Sequence, residues 1–280
     1  MGSKRFDLQG HAGRLAAYGW ANPQPRYAIL LVHGYGEHLG RYAELAGRLV
    51  DDGAVVYGID HVGHGRSDGE RVLIPDFEPV VDDVRTLHEH VREQHPELDV
   101  VVIGHSMGGM IAARYAQRYG SDLACLVLSA PVLGEWAAVD QLLALEEIPA
   151  VPIDPETLSR DPKVGSAYAA DPLVWHGAFK RPTLEGLRTM LRVIDAGGVL
   201  HLPALWLHGE EDQLVPYDGT AVGWSRIADA GAEAATYAGA RHEIFNETNK
   251  REVVHDVLTF VHRHAGRAAR GLAAAERTAR

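Results

Sequence analysis

VVIGHSMGGM, residues 101–110, joins a short apolar run to a glycine-rich corner with Ser106 at its centre. The apolar run predicts a strand covered on both faces, and the residues after Ser106 predict a helix that ends at Gly120. Gly104 and Gly108 lie two residues before and after the serine, which lets the strand and helix backbones approach closely. Ser106 is therefore either a reactive nucleophile on a strained strand-to-helix turn or a small residue in a glycine-rich corner.

The same alternation of strand and helix recurs along the chain and predicts a wound, mostly parallel sheet flanked by helices. Residues 77–91, for example, place their apolar side chains on one helical stripe. The opening residues 4–21 are more typical of an antiparallel hairpin that leads onto the sheet edge. The predicted strands of the sheet are 26–34, 53–60, 99–106, 123–130, 202–209 and 234–240.

The alternation breaks between residues 131 and 200, where prolines are frequent and no strand is evident. A short amphipathic helical patch begins there at Trp136. We predict that this segment is a helical cap lying over the carboxyl edge of the sheet. It is inserted after the sixth strand, residues 123–130, when the two strands of the hairpin are counted. The predicted division is a core of residues 1–130 and 201–265, a cap of 131–200 and an Ala/Arg-rich tail of 266–280.

The composition is that of a globular protein of 280 residues with a formal net charge of −11. This acidic balance argues against a nucleic-acid partner, because neutralising phosphates requires a basic surface. The single cysteine, Cys125, excludes an intramolecular disulfide and has apolar neighbours typical of a buried thiol. With no signal-peptide pattern and no apolar run of about 18 residues, the sequence predicts a cytoplasmic protein.

A serine nucleophile needs a histidine base and a carboxylate that orients the base. With this nucleophile turn, the acid and then the histidine are expected to follow the serine along the chain. Glu210, Glu211 and Asp212 follow the strand LPALWLHG, and Asp212 is the best choice because it precedes a turn into the next helix. The alternative is a solvated acidic loop. His242 follows the last predicted strand and is the expected base.

Backbone N–H groups that stabilise an oxyanion are the third requirement. One is expected from Met107, directly after the nucleophile, and the other from Tyr35, in the loop HGYGEHLGRY after the first parallel strand. Gly34 and Gly36 permit the tight path that this role needs. The alternative for this loop alone is an ordinary glycine-rich turn between a strand and a helix.

Histidines are numerous enough to raise a metal site as an alternative. Asp60, His61 and His64 lie close together in DHVGHG, and HEH occurs at residues 88–90. Neither group has a standard zinc spacing with a third ligand nearby. No glycine-rich phosphate-binding motif follows a strand. The sequence therefore predicts neither a metal nor an organic cofactor.

These motifs resemble the α/β-hydrolase superfamily, and within it the monoacylglycerol lipases with their lysophospholipase-like, serine aminopeptidase S33-type relatives. The similar segments span most of the chain: HGYGEHLGRY, DHVGHGRSDGERV, GHSMGGMIA, LSAP, SRDPKVGSAYAADPLVWHG, LHGEEDQLVP and RHEIFNE. The pair formed by the first two is far more selective than G-x-S-x-G. It separates this family from generic esterases, dehalogenases and epoxide hydrolases.

The resemblance implies an α/β-hydrolase fold and hydrolysis of the ester of a monoglyceride to fatty acid and glycerol. It assigns the catalytic triad to Ser106, Asp212 and His242, in agreement with the reading from the residues themselves. In this family the cap covers an apolar acyl channel with a small polar pocket for glycerol beneath it. Glu37 and Arg41 fall at motif positions that resemble part of that pocket; a structural ion pair is the alternative.

The predicted cap differs from the family pattern in being short and acidic, with Glu135, Asp140, Glu146 and Glu147 among its apolar residues. A cap that docks on lipid presents a larger apolar patch, so we expect at most transient contact with membranes or micelles. The principal rival is a carboxylesterase for short soluble esters. Lysophospholipase, proline-iminopeptidase-like peptidase and non-catalytic ligand-binding activities are further alternatives.

Overall fold

The computed structural model describes residues 2–266, which fold around an eight-stranded sheet. The strands are β1 Lys4–Gly10, β2 Gly13–Trp20, β3 Tyr27–Val32, β4 Ala54–Ile59, β5 Val100–His105, β6 Cys125–Ser129, β7 Ala204–Gly209 and β8 Glu233–Tyr237. Their spatial order is β1-β2-β4-β3-β5-β6-β7-β8. The hairpin β1–β2 joins β4 antiparallel, and all later neighbours pair parallel. The predicted mostly parallel sheet with an antiparallel hairpin at its edge is confirmed.

Eight helices accompany the sheet within the described residues. They are α1 Ala43–Asp51, α2 Glu78–Gln94, α3 Met107–Tyr119, α4 Ala137–Ala144, α5 Pro162–Ala170, α6 Arg181–Ala196, α7 Tyr217–Ile227 and α8 Lys250–His264. One face of the sheet packs on α2, α3, α6 and α7, and the other packs on α1 and α8. The helix predicted after Ser106 is present. Gly120 follows it in a right-handed conformation, with φ of −60°, and leads into a short 3-10 turn.

Burial on both faces explains why the parallel strands read as continuous apolar runs rather than as alternating ones. In β3, Leu30 belongs to the core beneath α2 and α3, whereas Ile29 and Leu31 belong to the core beneath α1 and α8. The strand β3 therefore contributes to two cores. The polar candidate residues lie beyond the carboxyl ends of the strands, where β5 leads directly into Ser106.

The chain between β6 and β7, wholly inside the described part, holds helices α4, α5 and α6 and no strand. Its last helix, α6, packs beside α3 in the same core as the sheet. Gly186 of α6 lies so close to the backbone carbonyls of Ile74 and Pro75 that a Cβ atom there would be 2.8 Å from each oxygen. The apolar residues that α6 gives to the core are Leu184, Leu187, Met190, Leu191 and Ile194. The division into core and cap remains a prediction.

Across residues 2–266, every helix is too short or too polar to cross a lipid bilayer. The predicted Ala/Arg-rich tail begins at Gly266, the last described residue, and residues 267–280 lie outside the described part.

Candidate active site

Ser106 occupies a backbone conformation that L-amino acids rarely adopt, with φ of 56° and ψ of −122°. The close approach of the surrounding backbones requires this turn. A Cβ atom on Gly108 would collide with the carbonyl oxygens of Val32 and His33, and one on Gly104 would collide with the carbonyl of Gly108. The spacing of the two glycines around Ser106 therefore has a steric cause, and the turn presents the serine side chain above the carboxyl end of β5.

The structure brings Ser106, His242 and Asp212 into one hydrogen-bonded line. The Ser106 hydroxyl lies 2.9 Å from His242 Nε2, and His242 Nδ1 lies 2.7 Å from Asp212 Oδ2. Because the ionised carboxylate only accepts, Nδ1 carries the proton and Nε2 is free to accept from the serine. All three side chains are buried. Asp212 comes from the loop after β7 and His242 from the loop after β8, as the order along the chain predicts.

Asp212 is fixed by the turn in which it stands. Its Oδ1 accepts the backbone N–H groups of Leu214 and Val215, each at 2.9 Å. Burial raises the pKa of the Asp212 carboxyl, but His242 and His208 together outweigh it, and the pKa lies well below its usual range. Glu210 and Glu211, the other two acids of the sequence cluster, are exposed. Of the three, Asp212 alone contacts the histidine.

The surroundings of His242 shift its pKa in two opposite directions. Burial lowers the pKa of His242, while the charge and hydrogen bond of Asp212 raise it, and the net shift is above the ordinary value. His105 packs against His242, with ring centroids 4.7 Å apart. Burial and the neighbouring His242 lower the pKa of His105 to about 4. His105 therefore stays neutral while its Nδ1–H donates to Ser129, 3.1 Å away.

The loop after β3 lies directly against the serine. A Cβ atom on Gly34 would be 3.2 Å from Ser106 Cβ. Gly36, at φ of 71°, turns the chain, and Glu37 accepts the Gly34 N–H at 2.7 Å. Among the described residues, the backbone N–H groups of Tyr35 and Met107 have no protein acceptor. Their assignment as oxyanion donors remains a prediction.

Glu37 and Arg41 form a buried charge cluster with Glu243. Arg41 Nη1 lies 2.6 Å from Glu37 Oε2, and the guanidinium binds Glu243 through two contacts of 2.7 and 2.8 Å. The remaining Glu37 oxygen accepts the hydroxyl of Tyr42 at 2.6 Å, besides Gly34. Sequence reasoning missed Glu243, although its place directly after His242 was the available signal. The cluster joins the loop after β3 to the loop that carries His242.

A mostly apolar cavity of about 210 Å³ opens above Ser106. Glu37, Arg41 and Glu243 form part of its polar wall. The helical patch predicted from Trp136 is α4, which covers one side. Sequence reasoning missed the lining residues of the irregular segments, because irregular chain has no periodicity that reveals which way a side chain faces. The principal apolar lining residues are Trp136, Val139, Leu142, Leu158, Phe179 and Leu184.

Two of the histidines weighed as metal ligands, His61 and His64, are buried. His61 and His64 pack with His33 in a buried group, with the His33 and His61 ring centroids 4.3 Å apart. Asp60 accepts the backbone N–H groups of Leu39 and Arg66, each at 2.8 Å. Within residues 2–266, no group of three His, Cys, Asp or Glu side chains is arranged to hold a metal ion.

Comparison with known proteins relates most of the chain to one family. The sequence pattern described as "Serine aminopeptidase, S33" matches residues 23–249. The chain is 37% identical to a monoacylglycerol lipase of Mycolicibacterium smegmatis, over 86% of this chain and 89% of the relative. It is 33% identical to monoglyceride lipase of Homo sapiens, over 85% of this chain and 82% of the relative. The crystal structure of Paleococcus ferrophilus monoacylglycerol lipase superposes with a TM-score of 0.74 at 26% identity, covering 88% and 99% of the two chains.

Proposed function

The chain belongs to the serine aminopeptidase S33 family, and from that premise we propose that it hydrolyses monoacylglycerols to fatty acid and glycerol. The observation that carries the proposal is the line Ser106–His242–Asp212, with contacts of 2.9 and 2.7 Å, beneath an apolar cavity that has a polar wall. The cavity suits the acyl chain, and the wall suits the glycerol.

In the proposed mechanism, His242 Nε2 takes the proton of the Ser106 hydroxyl as its oxygen attacks the ester carbonyl. The N–H groups of Tyr35 and Met107 donate to the resulting oxyanion, and Asp212 offsets the charge of the imidazolium. Collapse of the intermediate breaks the ester bond, and His242 gives its proton to the departing glycerol oxygen. Water then attacks the acyl-enzyme by the same route and releases the fatty acid and free Ser106.

The charge cluster in the wall favours a neutral alcohol over the other leaving groups that we considered. Glu37, Arg41 and Glu243 carry a formal charge of −1 together, which repels the phosphate of a lysophospholipid. Arg41 pairs with both carboxylates and offsets much of the negative charge that would bind the α-amine of a peptide. We therefore propose that Glu37 and Arg41 contact the glycerol hydroxyls.

Short-chain ester hydrolysis is the second candidate, and the size of the cavity favours it. Small-molecule pockets typically measure roughly 300–1,000 Å³, whereas the cavity above Ser106 measures about 210 Å³. A long acyl chain must therefore displace α4 or extend through the mouth of the cavity. A series of 1-monoacylglycerols and matched p-nitrophenyl esters from two to eighteen carbons separates the two functions. Preference for glyceryl esters of eight or more carbons supports the lipase, and preference for chains of four or fewer supports the esterase.

The nucleophile is tested by Ser106→Ala. We expect turnover of the preferred ester to fall by at least about a thousandfold, because the remaining groups cannot form the acyl-enzyme. Ser225→Ala, on the exposed face of α7, is the matched control and should retain full activity. Thermal unfolding of both variants verifies that they are folded. Activity of Ser106→Ala near that of the parent would contradict the mechanism.

We propose further that this enzyme works in the cytoplasm and meets its substrate by weak contact with lipid. Leu145 and Val151 beyond α4 are 45% and 65% exposed, but Glu146 and Glu147 stand between them. These acids repel anionic headgroups. Co-sedimentation should therefore give slight binding to uncharged vesicles and none to anionic ones; firm binding to anionic vesicles would contradict this.

A further inference from the structure

His208, the penultimate residue of β7, occupies the side of Asp212 that faces away from the cavity. The His208 side chain is fully buried. Its Nε2 lies 2.8 Å from the carbonyl oxygen of Val215 and 3.4 Å from Asp212 Oδ2. The hydrogen bond goes to Val215, and the carboxylate oxygen is a longer electrostatic contact. That same carboxylate oxygen accepts the hydrogen bond from His242 Nδ1–H.

Trp206 fixes the tautomer of His208. The indole N–H, which can only donate, lies 3.0 Å from His208 Nδ1. Nδ1 must therefore be unprotonated, and the proton is on Nε2, where it points to Val215 and Asp212. The indole itself is held in place because it stacks on Tyr217, with ring centroids 5.0 Å apart, and packs against Trp224. His208 consequently has one ring orientation, with Nδ1 as acceptor and Nε2 as donor.

His208 and Asp212 both bind Val215, in the loop after β7. Val215 donates its N–H to Asp212 Oδ1, and its carbonyl accepts from His208. The Oδ1 atom of Asp212 is thereby bonded to the loop. Its Oδ2 atom lies beside Nε2 of His208 and accepts from His242. Rotation of the Asp212 side chain would break contacts on both sides.

The two hydrogen bonds of His208 fix the position of its ring beside Asp212. With Trp206 donating to Nδ1 and the Val215 carbonyl accepting from Nε2, the ring cannot turn without breaking a buried hydrogen bond. A buried imidazole in an apolar strand is unfavourable unless its polar atoms are bonded, and here both are.

We infer that His208, locked by Trp206, is a positioning residue that holds Asp212 in register with His242. This inference rests on the proposed function, because the triad must be the catalytic machinery for its alignment to matter. His208 contacts neither Ser106 nor the cavity. Its effect should therefore fall on the chemical step rather than on substrate binding.

The experiment compares His208→Leu with His208→Gln, using the full chain and the monoacylglycerol or p-nitrophenyl ester that the parent hydrolyses fastest. Leu removes the donor, whereas the Gln amide can supply an N–H near the position of Nε2. We expect His208→Leu to lower kcat about tenfold with KM within about twofold, and His208→Gln to recover most of the loss. His88→Leu is the matched control, since His88 is also buried and bonded, to Tyr115 of α3, away from the triad.

The readouts separate positioning from stability. His208→Leu and His88→Leu should both lower the thermal midpoint, but only the former should lower kcat. Normal kcat in a folded His208→Leu would overturn the inference, as would equal losses of kcat in the two variants. Activity of Ser106→Ala near that of the parent would contradict the proposed function itself. Loss of activity in Ser106→Ala together with a parental kcat in His208→Leu would contradict this inference alone.

Trp206→Phe provides a second test that keeps the imidazole, and it decides the question if His208→Leu does not fold. Histidine-ring ¹⁵N spectra of the parent should show His208 with unprotonated Nδ1 and protonated Nε2. Loss of the indole donor should disturb this signature and lower kcat between about two- and tenfold. A parent spectrum with the proton on Nδ1, or unchanged kcat in Trp206→Phe, would contradict the inference.

Discussion

His242 is under two opposing influences whose balance sets how activity depends on pH. Burial lowers its pKa, whereas the Asp212 carboxylate, with Glu243 and Glu37, raises it, and the net shift is upward. As the proposed base, His242 must be unprotonated in the free enzyme. We therefore expect kcat/KM to fall on the acid side with a midpoint above 6.5, the ordinary histidine value.

A neutral monoacylglycerol is the right substrate for this pH measurement, because it does not titrate. The profile should be recorded from pH 5 to 9 at constant ionic strength, with the folded state verified at each pH. A midpoint at or below 6.5 would mean that Asp212 does not govern the protonation of His242.

At the residue scale, the sequence was informative where a motif forces the geometry. Ser106 follows from a turn that admits only glycine at 104 and 108, and Asp212 and His242 follow from the order of strand ends. Glu243 was missed because its partner Arg41 lies about 200 residues away, so that only its place beside His242 pointed to it. His208 could not be predicted, because its role depends on a hydrogen-bond network. A lone acid or histidine carries no such information in the sequence.

Gly108 in the first turn of α3 tests the link between element packing and the site. Its Cα faces the carbonyl oxygens of Val32 and His33, so the methyl group of Gly108→Ala would force α3 away from β3. We expect a loss of about 3 kcal/mol or more in unfolding free energy, together with loss of esterase activity. Denaturant unfolding and turnover are the measurements.

Gly47 in α1 is the matched control, because a Cβ atom there meets nothing within 4 Å. Gly47→Ala should stabilise the protein by about 0.5–1 kcal/mol through its helical preference and leave activity unchanged. A Gly108→Ala variant with parental stability would contradict the account of the turn.

At the element scale, the inner parallel strands β3 to β7 were predictable because they are buried on both faces, and the hairpin because its composition differs from theirs. The helix α6 shows the limit. Leu184, Leu187 and Leu191 form an apolar stripe, but a stripe indicates only that one face is buried and does not identify the partner. In the structure that partner is the main core beside α3.

The molecule as a whole buries several neutral histidines, and these make its stability depend on pH. Burial lowers the pKa of His61 to about 3 and the pKa values of His64 and His105 to about 4. The unfolded chain binds protons at these sites near pH 6.5, whereas the folded chain resists them until pH 4 or below. Folding stability is therefore greatest above pH 6.5 and declines as the pH falls, by about 1.4 kcal/mol per pH unit for each histidine.

His242, with its raised pKa, acts in the opposite direction but contributes only one proton. We expect the urea midpoint to decrease clearly between pH 7.5 and pH 5 at constant ionic strength. An equal midpoint at the two pH values would show that the buried histidines are protonated in the folded state.

The central claim is that Ser106 forms a covalent acyl-enzyme during hydrolysis. Rapid acid quenching of the enzyme with its preferred monoacylglycerol, followed by peptide mass spectrometry, tests it most directly. The account predicts an acyl group on the peptide that contains Ser106, transient in the parent and missing in Ser106→Ala. Turnover with the acyl group on another residue, or with an unmodified Ser106 peptide even when deacylation is slowed, would contradict it.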